Sequence, residues 1–148
     1  MEVQEDYREL LESLNAREVE FIVVGAYALA HHGVPRATGD LDILVRSTEE
    51  NAGRIVKALK DFGFEFPDLS AGDFREPDRV IQLGVPPVRV DLITSLTGVT
   101  WDEAFSGREE ASYGGVPIFY MGRNELVANK RALGRKRDLA DLEALGEA

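Results

Sequence analysis

Residues 21–46 read FIVVGAYALAHHGVPRATGDLDILVR, and the fold is decided by how this stretch is parsed. Phe21-Ile22-Val23-Val24 is a short, wholly apolar run that reads as a buried strand. Gly25-Ala26 breaks it, and Ala26 to His32 follows as a short apolar helix that stops at Gly33. Asp40 to Val45 is a second strand. Alternate residues of a strand share a face, so Asp40, Asp42 and Leu44 point one way and Leu41, Ile43 and Val45 the other. Two carboxylates on one face of an apolar strand are costly to bury unless a cation meets them. A divalent ion with a preference for hard oxygen ligands, such as Mg²⁺, is the economical partner.

The rest of the 148-residue chain limits what that site can belong to. One domain spanning residues 1–148 with one core is expected. The composition is that of an ordinary globular protein, with 44% apolar and 30% charged residues. The acidic start MEVQEDYREL does not resemble a signal peptide, and no apolar run is long enough for a membrane span, so a cytoplasmic protein is expected. There are no cysteines, which removes disulfides, thiolate zinc sites and cysteine nucleophiles. A net charge of −10 argues against a broadly basic nucleic-acid surface. Yet Arg123, Lys130, Arg131, Arg135, Lys136 and Arg137 are crowded into one stretch in which Glu125 is the sole acid. Such a patch could hold a polyphosphate, or it could be no more than solvated helix faces.

Taken in order, Tyr7, Leu10, Leu11 and Leu14 have helical spacing. Ser47 and Glu50 have capping-box spacing ahead of a second amphipathic helix, Ala52, Ile55, Val56, Leu59 and Phe62, closed by Gly63. Phe64 to Phe66 suggests a short edge strand, and residues 67–77, rich in proline, glycine and acid, read as a loop. Val80–Val85 and Val88–Ile93 read as a hairpin across Pro86-Pro87. Thr100 to Phe105 reads as a short helix, Tyr113-Gly114-Gly115 as a turn and Val116–Met121 as the last strand. Asn124 is placed to cap a helix through Leu133, Gly134 interrupts it, and Asp138 to Leu145 resumes helical. The sum is a mixed α/β (α+β) domain whose sheet carries the acids at a cleft and packs helices on its other face.

Asp91 is the third strand acid, set among Val90, Leu92 and Ile93. Arg89 shares its face and could simply pair with it. Beside Asp40 and Asp42, a second role comes into view: three carboxylates can hold two divalent ions roughly 3.5–4 Å apart, the clamp for an in-line phosphoryl or nucleotidyl displacement. Gly25-Ala26, after a strand and before a helix, offers backbone N–H groups to phosphate. His31 and His32 are adjacent, and adjacent residues do not share a helix face, so one ion taking both is disfavoured. No P-loop, H-E-x-x-H or G-x-S-x-G pattern is present.

The ordered series of apolar strand, Gly25, Ala26, a spacer of residues 27–39, Asp40-Leu-Asp42 in a strand and a later strand Asp91 resembles the DNA polymerase beta superfamily of nucleotidyltransferases. The wording around Gly25, His32-Gly33, Arg36-Ala-Thr38-Gly-Asp40 and Asp42 is similar to the branch of AbiEii-type toxins of toxin–antitoxin systems and small relatives. Lys130, Arg137, Asp138 and Asp141 match that branch's C-terminal pattern. The resemblance implies a nucleotidyltransferase fold and two Mg²⁺ ions, with Mn²⁺ able to substitute, held by Asp40, Asp42 and Asp91. It also implies that Asp91 helps deprotonate the attacking hydroxyl. Gly25, Ala26, Arg36, Thr38 and Lys130 would hold an NTP such as ATP. The acceptor it implies is a hydroxyl of tRNA, a protein or a small molecule, with an antitoxin as a partner.

Two departures stand out. Ala26 replaces the Gly or Ser usual in the superfamily, and the chain lacks the extra helical domain of larger relatives. They motivate an alternative: a weakly active or inactive module of the same fold that binds or regulates. Arg137 and Asp141, spaced i,i+4, could equally be a helix salt bridge.

Overall fold

The computed structural model describes residues 3–35, 40–64, 70–85 and 88–147. The elements run α1 (Glu5–Ala16), β1 (Phe21–Val24), α2 (Gly25–His31), β2 (Asp40–Val45), α3 (Glu49–Phe62), a 3-10 turn (Ala71–Phe74), β3 (Val80–Val85), β4 (Val88–Ile93), α4 (Trp101–Ser106), β5 (Glu109–Tyr113), β6 (Val116–Tyr120), α5 (Arg123–Leu133) and α6 (Lys136–Ala144). Six strands form one mixed sheet in the order β3-β4-β2-β1-β6-β5. β3–β4, β1–β2 and β5–β6 pair antiparallel, whereas β2–β4 and β1–β6 pair parallel. Among the described residues, no helix is long and apolar enough to cross a membrane.

The apolar patterns explain this order. All four residues of β1 are buried, as a strand flanked by β2 and β6 and covered on both faces requires. In β2, Leu41, Ile43 and Val45 are buried, while Asp40 and Asp42 are partly open on the opposite face. α1 buries Tyr7, Leu10, Leu11 and Leu14, one stripe at helical spacing, and packs against α3, which buries Ala52, Ile55, Ala58 and Leu59. Tyr7 also reaches the sheet: its hydroxyl donates to the Arg89 carbonyl at 2.9 Å and accepts from the Arg89 N–H at 3.2 Å, so α1 is fastened to the start of β4.

Asn51 holds the far ends of β1 and β2 in place. Its Oδ1 accepts from the Glu20 N–H at 2.7 Å, and its Nδ2 donates to the carbonyls of Glu20 at 3.0 Å and Arg46 at 2.9 Å. The side chain is buried, and its amide bonds three backbone groups at the strand ends, of which the Glu20 carbonyl also accepts from the Arg46 N–H at 3.2 Å.

Several boundaries differ from the sequence reading, each for a local reason. The α3 cap is Thr48, one residue after Ser47, with its hydroxyl accepting from Asn51 N–H at 3.2 Å. α5 starts at Arg123 behind Gly122, two residues before the position at which Asn124 would cap it. Within the loop of residues 67–77, Ala71–Phe74 coils into a helical turn because Phe74 is fully buried. Phe64 lies outside any strand; Glu65, Phe66 and the turn at Pro86-Pro87 lie outside the described residues. β5 was not anticipated. In its sequence EEASY only Ala111 and Tyr113 alternate, a pattern too short to mark a strand, and its exposed edge residues Glu109 and Glu110 suit a sheet border that must not pair further.

Asn51→Ala takes the side-chain partner from the Glu20 N–H and the Arg46 carbonyl and leaves the Glu20 carbonyl with the Arg46 N–H alone. Unfolding in urea should show a loss of about 2–4 kcal/mol, whereas a loss within about 0.5 kcal/mol would mean that the amide does not hold the strand ends.

Candidate active site

The register of the central strands brings the three acids together. β2 and β4 run parallel with Asp42 opposite Asp91 and Asp40 opposite Arg89. Residues paired across a parallel ladder share a face and stand roughly 4.8 Å apart in the hydrogen-bonding direction. Asp40, Asp42, Arg89 and Asp91 therefore form a small square of charge on one face of the sheet. The Arg89 guanidinium engages Asp91 through both oxygens, Nε to Oδ1 and Nη2 to Oδ2, each at 3.2 Å, and lies 3.9 Å from Asp40 Oδ2. The Arg89–Asp91 pairing and the clustering of the acids, which the sequence posed as rival explanations, both hold.

Asp42 bears the electrostatic cost. Burial raises its pKa to about 6, and the neighbouring charges of Asp91 and Asp40 push the same way, against the pull of Arg89 and Lys130.

Gly25 is built around the same carboxylate. β1 ends at Val24, which pairs with Asp42, and α2 starts on the next residue. Gly25 has φ +66, and a Cβ there would stand 2.3 Å from Asp42 Oδ2. Any side chain would be strained by its backbone and would collide with the acid. The glycine thus brings the start of α2, with its unpartnered first-turn N–H groups, directly against Asp42.

These groups open into a cavity of about 410 Å³. Gly25, Ala26, Asp40 and Asp42 line its sheet side, and Asn129, Lys130, Arg135 and Arg137 face them from the α5–α6 region. The sheet side is acidic, and the opposite side carries three cations and one carboxylate, Asp141, in a volume suited to a nucleotide-sized ligand. Asp91, engaged by Arg89, is not among the described residues that line the cavity.

Lys130 is tied down. Its Nζ lies 3.3 Å from Asp138 Oδ1 and 2.9 Å from Asp141 Oδ2, in a nearly closed pocket between α5 and α6. Burial lowers the Lys130 pKa, opposed by the hydrogen bond and charge of Asp138. Arg135 in turn bonds Asp138 from both backbone and side chain and holds its carboxyl down at about 2. Asp138 is thereby an N-terminal anchor of α6, and the Lys130–Asp141 pair locks α6 onto α5. Arg36 and Thr38 lie outside the described residues. Arg135 and Asn129 were not singled out as site residues; Asn129 is buried, donates to the Thr97 carbonyl at 2.9 Å and fixes the loop at the cavity rim. Only the proximity of Asn129 and Arg135 to Lys130 in the sequence could have marked them.

No protein-family model matches the chain, and no curated protein matches it by sequence. A solved structure does match: a candidate nucleotidyltransferase from Thermotoga maritima, with a TM-score of 0.61 at 18% identity, over 99% of this chain and 97% of that one. The shared fold is the nucleotidyltransferase fold. The α+β architecture expected from the sequence, a mixed six-stranded sheet with helices, is therefore observed; Asp40 and Asp42 line the cleft, whereas Asp91 is not among the described residues that do. At this identity the nucleotidyltransferase fold is what the likeness establishes; the chemistry rests on the residues of the cleft.

Asp42 makes a pH-dependent contribution to stability whose direction is fixed. The folded protein keeps the Asp42 proton up to about pH 6, whereas an ordinary aspartate releases it near 3.8, so folding takes up a proton between those values. Stability from this group is present below the lower value and is lost as pH rises through about 6. After discounting for partial exposure, Asp42→Asn in EDTA should gain on the order of 1–2 kcal/mol over wild type at pH 7.5, or about 2–8 °C in Tm, and nothing near pH 4. Equal Tm values at both pH values would show that Asp42 is not held protonated by its neighbours.

Proposed function

We propose that the chain is a nucleotidyltransferase that moves a nucleoside monophosphate from an NTP to an acceptor hydroxyl. The observation that carries this reading is the pairing of Asp42 with Asp91 on neighbouring parallel strands, with Asp40 on the same face and Gly25 pressed against the Asp42 carboxylate. The donor set suits hard divalent ions such as Mg²⁺ or Mn²⁺: every group is a carboxylate oxygen, and burial together with the charges of Asp91 and Asp40 raises the pKa of Asp42. Asp40 and Asp42 would hold such an ion at the cavity wall, and Asp91 would join them once Arg89 releases it. When bound, the ions neutralise phosphate charge and favour ionisation of the attacking hydroxyl.

The chain's own groups supply the rest. The Gly25–Ala26 turn offers backbone N–H groups to the triphosphate. Arg135 and Arg137 face it across the cavity and hold its charge in place, while Lys130, kept in position by Asp138 and Asp141, adds a cation deeper in the wall. The acceptor oxygen forms its bond to the α-phosphorus as the α–β anhydride bond breaks, pyrophosphate leaves, and the hydroxyl proton passes to a carboxylate. The family resemblance gives that last role to Asp91. Its two bonds to Arg89 must open first, so Arg89 is a gate on the reaction in this reading.

The same two bonds favour a second reading. With Arg89 already neutralising Asp91, the chain could be a nucleotidyltransferase-fold module that binds or regulates without turnover. The acceptors implied by the resemblance are tRNA, a protein side chain or a small molecule, with a role in a toxin–antitoxin pair and an antitoxin partner.

Incubation with labelled NTPs, Mg²⁺ or Mn²⁺, and cellular RNA and protein separates the readings. Transfer by wild type and a drop of at least about 100-fold in Asp42→Asn supports the enzyme. Identical labelling by the two proteins under all conditions removes it, and partner binding without metal-dependent nucleotide binding in calorimetry selects the module.

A further inference from the structure

The far end of α2 carries a second constellation, unrelated to the aspartates. α2 has seven residues and rises about 1.5 Å per residue, so its last residue, His31, stands roughly 10 Å along the axis from Gly25. His32 follows as the C-cap with φ −88 and ψ 14, outside the helix. The helical-face rule that separates neighbouring side chains therefore fails between these two residues, and their rings approach with centroids 5.0 Å apart at 78°. Both turn towards Glu109, the first residue of β5. His31 Nε2 lies 3.3 Å from Glu109 Oε1, and His32 Nε2 lies 3.7 Å from Glu109 Oε2. One ligand atom from each of the three residues can be chosen so that all lie within 4.8 Å of one another.

These separations are close to what a shared ion demands. Two ligands bound at about 2.0–2.2 Å in tetrahedral geometry stand roughly 3.3–3.6 Å apart. The His31 ring is held in place by stacking on Tyr120 at 4.6 Å and 17°. His32 Nε2, the nitrogen nearest Glu109, also lies 2.8 Å from the Met121 carbonyl, a hydrogen bond it gives up if that nitrogen takes an ion. The C-terminal carbonyl end of a helix, here that of α2, further favours a cation. His32 is well covered, whereas His31 and Glu109 remain reachable from solvent.

We propose that His31, His32 and Glu109 bind a divalent transition-metal ion of the zinc type, clamping the end of α2 to the β5–β6 border of the sheet. Two imidazole nitrogens and one carboxylate oxygen suit Zn²⁺, Co²⁺ or Ni²⁺, whereas Mg²⁺ prefers an all-oxygen set. Three protein ligands leave a fourth position for water. The site is thus distinct in chemistry and place from the cleft at the other end of the same helix. Without a metal, Glu109 accepts a proton from His31 and Met121 accepts one from His32, and the ion takes the place of protons rather than of side chains.

The test uses the full chain without an affinity tag, stripped with EDTA and titrated with ZnCl₂ by calorimetry and with CoCl₂ by visible absorption. The companions are His31→Gln, Glu109→Gln and Asp42→Asn, each checked for folding by circular dichroism. Wild type and Asp42→Asn should bind one equivalent of Zn²⁺ at this site, with a rise in Tm on saturation. His31→Gln and Glu109→Gln should each weaken it by at least about tenfold and abolish the cobalt bands. Absence of binding overturns the proposal, as does binding that both of those variants retain. Loss in Asp42→Asn alone also overturns it, because the ion would then belong to the aspartates. Since Glu109→Gln leaves the aspartates untouched and Asp42→Asn leaves the histidines untouched, the clamp and the transferase reading fail separately.

Discussion

Mutual repulsion among Asp40, Asp42 and Asp91 is the constraint on which the rest of this molecule turns. Side chains two residues apart on β2 and opposite one another across β2–β4 have no freedom to separate. The sheet register imposes the crowding, and the apolar packing on the opposite face of β2 imposes the register, since a slip by one residue would put both β2 acids into the core. Burial raises the pKa of Asp42, and the charges of Asp91 and Asp40 add to the rise. A cluster of this kind persists only where something outweighs its cost, and Arg89 supplies part of the compensation from within the sheet.

The neighbouring features follow from that crowding. Gly25 has no side chain because Asp42 takes the space where one would be. Tyr7 grips the backbone of Arg89, so the helix that closes the core also sets the strand that carries the compensating cation. Across the cavity, Asp138 and Asp141 spend their charge on Lys130 and Arg135, leaving a mainly basic wall opposite an acidic one. Structural and functional pairing are intertwined in α5–α6: Asp138 starts α6, which carries Arg137, and its carboxylate holds Lys130 of α5 directly.

Much of this was legible in the sequence because it rests on short-range patterns. The runs at Phe21, Asp40, Val80 and Val88 and the helical stripes at Tyr7 and Ala52 declare their elements through periodicity alone, and the alternation in DLDILV already puts two acids on one face. Pairing Asp42 with Asp91 was not legible by spacing: it depends on a parallel register between strands some fifty positions apart. β5 escaped notice because an exposed edge strand has no need of apolar alternation. Caps shifted by a residue or two, at Thr48 and Gly122, because several neighbouring residues could serve and tertiary packing chose among them. The sequence reading kept His31 and His32 apart by treating both as helical. The helix ends between them, and a carboxylate from a strand that was not foreseen meets both.

The account's central claim is that the three acids form one cation-binding pocket beside the Gly25 turn. Anomalous diffraction from crystals grown with Mn²⁺ and a non-hydrolysable NTP analogue tests it most directly. The account predicts a manganese peak bonded to the carboxylates of Asp40 and Asp42, phosphate oxygens against the start of α2, and Arg89 displaced from Asp91. Nucleotide or manganese bound elsewhere, with Arg89 still seated on Asp91 and no peak at Asp42, would contradict it.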